Sequence, residues 1–297
     1  MAKKLVKYYV VDAFTDSPFK GNPAAVCLLE DDRDDQWLQS VAAEFNLSET
    51  CYLTRLADSE ARDSAHGHGP SVPRFRLRWF TPVTEVKLCG HATIAAAQTL
   101  FTSGKIDSDF IEFDTLSGIL TAKKVPDDSN IRDGHEAHKG FVIELNFPAD
   151  PSTGFNSVEN SLISKAFGGV SVIDITEFFK VVVPSAKSVE DMQPDFDAIG
   201  KLPVGDIIVT GNAPPESGFD FYSRFFAPKF GINEDPVTGS AHCSLASYWN
   251  KELGKCDFVA YQASPRGGVL NVHLDEQSQR VLLRGKGYTI MEGTLLV

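Results

Sequence analysis

Two glycines, Gly90 and Gly239, each stand just before a stretch that reads as a helix. A glycine there lets the backbone come close to a ligand, and the first N–H groups of a helix have no partner within it. Such helix starts receive anions, helped by the helix dipole. Around them lie further residues that could do chemistry. They are Glu49 in Ser48-Glu49-Thr50, His91 after Gly90, Asp235 ahead of Pro236, and Ser240 after Gly239. Cys89 precedes Gly90, and a thiol beside a helix N-terminus has a lowered pKa. A carboxylate, an imidazole and a thiol are groups of general acid–base catalysis. Taken singly, each has a plainer explanation. Glu49 reads as a solvated loop residue or a cap, Asp235 as a turn former and Ser240 as an N-cap. His91 could make a structural hydrogen bond, Cys89 could be a small buried hydrophobe, and each Gly could only permit a tight turn.

A repeat changes that weighting. Arg78-Trp79-Phe80-Thr81-Pro82 precedes Leu88-Cys89-Gly90-His91-Ala92-Thr93, and Arg224-Phe225-Phe226-Ala227-Pro228 precedes Val237-Thr238-Gly239-Ser240-Ala241-His242. Each reads as a strand ending in Arg-aromatic-Phe-small-Pro, then an acidic loop, a Gly and a helix. The two Pro residues lie 146 positions apart (228 − 82), about half the chain. That period is far too long for a solenoid and implies two similar domains facing a shared site. The expected domains are 1–124 together with strands at about 284–297, and 140–283, with 125–139 as a Pro-, Asp-, His- and Gly-rich linker.

The elements that would carry these residues follow from pattern. Residues 5–14 and Ala24–Leu29 read as strands, with Gly21-Asn22-Pro23 as a turn. Trp37, Leu38, Val41, Ala42 and Phe45 form one helix face behind Asp34 and Asp35, with Asn46 as a stop. Phe75, Leu77 and Trp79 alternate with Arg74, Arg76 and Arg78, as in a half-buried strand. Residues 57–73 read as an exposed polar loop, and 111–124 as two strands around Ser117-Gly118. In the second half, a strand at Phe141–Phe147, helices at 158–167 and 195–202, and strands at 171–175, 180–184 and 206–210 are expected. A strand at Phe219–Phe226, a helix to about Leu253 and four short strands over 257–297 follow. There is no regular β-α-β alternation, so the fold class is α+β.

Composition narrows the function. Of 297 residues, 28 are basic and 40 acidic, a net charge of −12, and no Lys/Arg cluster occurs, which argues against nucleic acid. No apolar run reaches membrane-spanning length, so no membrane association is expected. Five cysteines without a CxxC pair, and no leader-like N-terminus, imply reduced thiols in a cytoplasmic protein. No metal or redox-carrier motif is found, so neither a metal nor another cofactor is expected.

The segments Gly21-Asn22-Pro23-Ala24-Ala25, Asn46-Leu47-Ser48-Glu49-Thr50, Leu88-Cys89-Gly90-His91-Ala92-Thr93 and Asp235-Pro236-Val237-Thr238-Gly239-Ser240-Ala241 together resemble the PhzF family. These are the phenazine biosynthesis-like proteins of the diaminopimelate epimerase-like superfamily. The resemblance implies two similar domains, each a sheet wrapped round a central helix, with the site in the cleft. It implies cofactor-independent proton transfer on a small, cyclic carboxylate, with Glu49 as acid/base. His91, Asp235 and Ser240 fall on site positions, and Gly90 and Gly239 supply backbone donors. A homodimer is also implied. The superfamily's racemases place a thiol just before each motif Gly; here the positions hold Cys89 and Thr238. The alternatives are a thiol-assisted racemase or epimerase using Cys89, and a ligand-binding protein without turnover.

Overall fold

The structure, a computed structural model, describes residues 5–56, 72–127, 140–149, 159–176 and 179–296. Of the expected polar loop only 72–73 lie within these residues, and of the expected linker only 125–127. The chain divides into two compact units. Unit 1 comprises Met1–Phe19, Pro23–Asn146 and Arg284–Val297, and unit 2 comprises Lys20–Asn22 and Phe147–Leu283.

In chain order, unit 1 holds β1 (Leu5–Ala13), most of β2 (Asn22–Leu29), α1 (Asp35–Phe45), β3 (Glu49–Arg55), β4 (Arg74–Phe80) and the short β5 (Glu85–Val86). It continues with α2 (Gly90–Thr102), β6 (Phe110–Thr115), β7 (Gly118–Pro126) and most of β8 (Phe141–Pro148). Unit 2 holds α3 (Asn160–Ala166), β9 (Asp174–Thr176), β10 (Lys180–Val183), α4 (Ala186–Asp191), α5 (Phe196–Lys201), β11 (Ile207–Asn212) and β12 (Phe221–Ala227). There follow β13 (Ile232–Asp235), α6 (Gly239–Leu253), β14 (Asp257–Gln262), β15 (Gly268–Asp275) and most of β16 (Arg280–Gly285). The chain then returns to unit 1 as β17 (Gly287–Leu296), antiparallel to β1.

Each unit wraps strands about one buried helix. In unit 1, α2 packs on β1, β3, β7 and β17 and buries ten of its 13 residues. Four of these are Ala92, Ala95, Ala96 and Ala97, small enough for the strands to approach on several sides. Ile94 and Leu100 fill the remaining space, each contributing about 1.5–3 kcal/mol by burial. Helix α1 is different: it buries only Leu38 and Ala42, against Tyr52 of β3. Asp34 caps its start through the Trp37 N–H, and Asn46 ends it in the left-handed region. In unit 2, α6 buries eight of its 15 residues, Gly254 ends it in the left-handed region, and Trp249 stacks on Phe221 at 5.2 Å. A second cluster, with Phe167, Val181, Val209 and Phe226, packs beside α3 and α5.

Several expectations need correction. Asn22 and Pro23 belong to β2, so the turn is at Gly21, which has a φ of 62°. Ser240 is not the N-cap of α6. That position is Thr238, because Gly239 is already helical, and Ser240 is the exposed second residue. Strands β5 and β13 lie inside the two acidic loops, each antiparallel to the strand before it. Helix α4, capped by Ser185, was not expected. The unit boundary falls after Asn146 rather than at 140, because β8 pairs with β7 from Phe141 to Leu145.

Candidate active site

In unit 1, β3 begins at Glu49 and α2 begins at Gly90, and these two starts meet. The Leu47-Ser48 turn delivers the chain from α1 into β3, where Glu49 faces Ala24 of β2 in the parallel pairing. The carboxylate is therefore drawn in rather than solvated: Glu49 is 9% exposed and His91 is 4% exposed. His91 Nε2 lies 3.1 Å from Glu49 Oε2, and Cys89 Sγ lies 3.4 Å from His91 Nδ1. The imidazole thus stands between carboxylate and thiol.

Their protonation states depend on one another. Burial opposes a charged imidazole, but Cys89 and Glu49 on its two nitrogens outweigh it and hold His91 well above its usual range. Burial pushes the Cys89 thiol up, Glu49 adds to this, and His91 works against it. The shift of the imidazole and that of the thiol are therefore coupled through their contact at 3.4 Å. The lowered Cys89 pKa expected at a helix start is not found, because full burial outweighs the helix dipole. Cys51 is further buried and gives its S–H to Ala25 O at 3.3 Å.

Glu49, Cys89 and His91 also form, among the described residues, a group whose ligand-type atoms lie within 4.8 Å of one another. Sequence reasoning found no metal motif there, since Glu49 is 40 and 42 positions from the other two (89 − 49 and 91 − 49). A single ion on this group would take only one ring nitrogen and displace the contact on that side. A borderline ion such as zinc accepts this donor set.

In unit 2, the start of α6 is built otherwise. Asp235, at the end of β13, is 6% exposed. Its Oδ1 accepts from Asn22 Nδ2 at 2.9 Å, and its Oδ2 accepts from the Thr238 hydroxyl. Gln262 Oε1 accepts from Thr238 N–H at 2.8 Å, and Gln262 Nε2 donates to Asp235 O at 2.7 Å. The side chain of Thr238, at the position of Cys89, is therefore tied to an acid rather than to an imidazole. Neither cap residue, Cys89 or Thr238, makes a side-chain capping bond to the backbone of the helix it opens.

The structure thus brings Glu49, Gly90 and His91 together in unit 1, and Asp235, Gly239 and Ser240 together in unit 2. Sequence reasoning missed Asn22, Gln262 and His242 as partners of this second group. One signal was available. Alternation along β14 puts Phe258, Ala260 and Gln262 on its buried face, so a polar group occurs in an apolar phase.

The family model for phenazine biosynthesis-like proteins matches residues 11–293. The chain belongs to the phenazine biosynthesis-like family. A protein of Halalkalibacterium halodurans, described as an uncharacterized isomerase, is 42% identical over 291 residues, covering 97% of this chain and 98% of that one. The crystal structure of a PhzF-family phenazine biosynthesis protein from Enterococcus faecalis has a TM-score of 0.82 at 33% identity, over 99% of this chain and 100% of that one. A hydroxyproline epimerase from Agrobacterium vitis, solved with bound trans-4-hydroxy-L-proline, shares the fold at a TM-score of 0.58 and 13% identity, over 99% and 93% of the two chains. The α+β architecture, with each sheet wrapped round a central helix, is the one that PhzF proteins share with the epimerases. By enzyme class this PhzF-family member is an isomerase. Among its described residues, no helix is long and apolar enough to cross a membrane.

Proposed function

We propose that this isomerase moves a proton from one carbon of a small, cyclic carboxylate to another, without a cofactor, through Glu49. The observation that carries this reading is the buried Glu49–His91 pair at 3.1 Å. A carbon acid needs one group that takes its proton and returns it elsewhere on the same framework. Glu49 does both, so no atom or electron is gained or lost overall. His91 holds Oε2 and offsets the carboxylate's charge, leaving Oε1 for the substrate proton. The start of α2 at Gly90 and that of α6 at Gly239 are each suited to an anionic group, such as a substrate carboxylate or charge that develops as a proton leaves. The exposed Ser240 hydroxyl serves the same ligand. Both oxygens of Asp235 accept hydrogen bonds, which suits an anchor of the α6 start better than a proton carrier.

A thiol-assisted racemase is the second reading, favoured by the Cys89–His91 contact at 3.4 Å. It is the weaker one, because the Cys89 thiol is pushed up and its counterpart is Thr238. The test is proton NMR in D₂O on a panel of carboxylates that includes trans-2,3-dihydro-3-hydroxyanthranilate and common amino acids. Deuterium should enter one compound with wild type and not with Glu49→Gln. Exchange that persists in the variant removes Glu49 from the reaction. Saturable binding with no exchange would instead make the protein a carboxylate binder.

A further inference from the structure

Four successive backbone carbonyls lead into α6, and each meets a different side-chain donor. Asp235 O accepts from Gln262 Nε2 at 2.7 Å, and Pro236 O accepts from Ser264 Oγ at 2.7 Å. Val237 O accepts from Asn22 Nδ2 at 2.9 Å, and Thr238 O lies 2.8 Å from His242 Nδ1. A carbonyl can only accept, so His242 carries its proton on Nδ1. Asn22, Gln262 and His242 are fully buried, and Ser264 nearly so. These four donors come from β2, β14, the turn after it and α6 itself. Gln262 also accepts the Thr238 N–H, so it holds the Val237–Thr238 peptide as well as the Asp235–Pro236 one.

The consequence lies in peptide geometry. Across a trans peptide the C=O and the following N–H point opposite ways. Holding Thr238 O on His242 therefore turns the Gly239 N–H away from His242. Gly239 is the residue best able to let that peptide flip, because it has no Cβ. A flip would replace a donor by a carbonyl oxygen, the wrong charge for a carboxylate. We propose that Gln262 and Asn22 are positioning residues for the reaction, locking the 235–238 carbonyls so that the Gly239 N–H is presented to the substrate carboxylate. This rests on the assignment of the α6 start to that carboxylate.

The test follows the Gly239 amide by ¹⁵N–¹H NMR in the full chain, with anthranilate as the probe. Variants are Gln262→Leu, the milder Asn22→Ser and, as a control, Glu49→Gln. Wild type and Glu49→Gln should show a saturable shift of the Gly239 amide. Gln262→Leu should lose it, and KM for any carboxylate that exchanges should rise about tenfold or more, with a smaller change in kcat. Asn22→Ser should show the same loss in lesser degree, and it carries the test if Gln262→Leu does not fold. Wild-type shifts and KM in both variants, with only a lower melting temperature, would overturn the proposal and leave the two residues purely structural. A Gly239 amide that ignores anthranilate in wild type would instead overturn the assignment of the α6 start, and the positioning role with it.

Discussion

The two copies of the Arg-aromatic-Phe motif have the same skeleton and different contents. In unit 1, Arg78 grips Glu85 with two bonds of 2.7 Å and lies 5.1 Å from the ring of Phe80. In unit 2, Arg224 grips Glu234 at 2.7 and 2.8 Å and lies 5.2 Å from the ring of Phe226. Fork-to-fork pairing of this kind fixes direction as well as distance. Each motif then opens a buried helix, and the fourth helical residue, Thr93 or His242, bonds back to the carbonyl of the cap residue. Onto this shared frame unit 1 brings Glu49 beside His91 and Cys89. Unit 2 uses its acid, Asp235, to tie down the loop before Gly239. One frame thus supports a chemically loaded copy and a mechanically locked copy.

Four experiments would break or sharpen that contrast. The largest expected effect is on activity: Glu49→Gln should lower exchange about 10²–10⁴-fold without lowering the melting temperature. A comparable loss of chemistry on replacing Asp235 by Asn, with ligand affinity intact, would show that both copies are loaded. Next come the two arginines. Arg224 and Glu234 are 9% and 10% exposed, and Arg224 also donates to Met192 O at 3.2 Å. Arg224→Ala should therefore cost about 3–5 kcal/mol in urea unfolding, as a broken buried pair does. Arg78 and Glu85 are 24% and 22% exposed, and Arg78→Ala should cost about 1 kcal/mol or less. Equal costs would mean that the two frames bear equal load.

The third test uses the two histidines, which shift in opposite directions. Burial lowers His242 to about 4, against a backbone bond to Thr238 that raises it. The unfolded chain takes up a proton near pH 6.5, and the folded chain only near 4. Stability from this group is thus complete above 6.5 and falls by about 3 kcal/mol as pH drops from 6.5 to 4. His91 is raised, so its contribution is complete below 6.5 and fades only as pH climbs through its higher folded value. Side-chain NMR titration checks both, and a His242 signal that titrates near pH 6.5 would refute the buried tautomer. The smallest effect is expected for Cys89→Ser. It should change exchange much less than the 10²–10⁴-fold expected of a lost acid/base group. A loss in that range would favour the thiol-assisted reading.

What the sequence could convey was periodic or duplicated. The alternation of Phe75, Leu77 and Trp79 with arginines maps onto β4, whose buried and half-buried positions alternate in that phase. The duplicated Gly-helix starts were visible because their flanks were duplicated too. Strands β5 and β13 were not visible, because two and four residues are too few to show a period. Glu49 looked like a loop residue because nothing local reports that His91 will sit against it. Asn22 and Gln262 were out of reach for the same reason: they meet at one loop from 240 residues apart (262 − 22).

The pairing of β1 with β17 has a consequence for how the chain comes to be folded in a cell. Tyr8 lies opposite Gly293, so the edge that β1 must satisfy emerges from the ribosome some 285 residues later (293 − 8). At about 5–20 residues per second that is a wait of roughly 15–60 s. Val6 can pack early against Cys27, Leu29, Leu38 and Tyr52, but the β17 side of β1 stays unpaired for that time. The unit that carries Glu49 and His91 is therefore the later of the two to close. Its nascent form is where a chaperone would bind and where a slow codon would matter most.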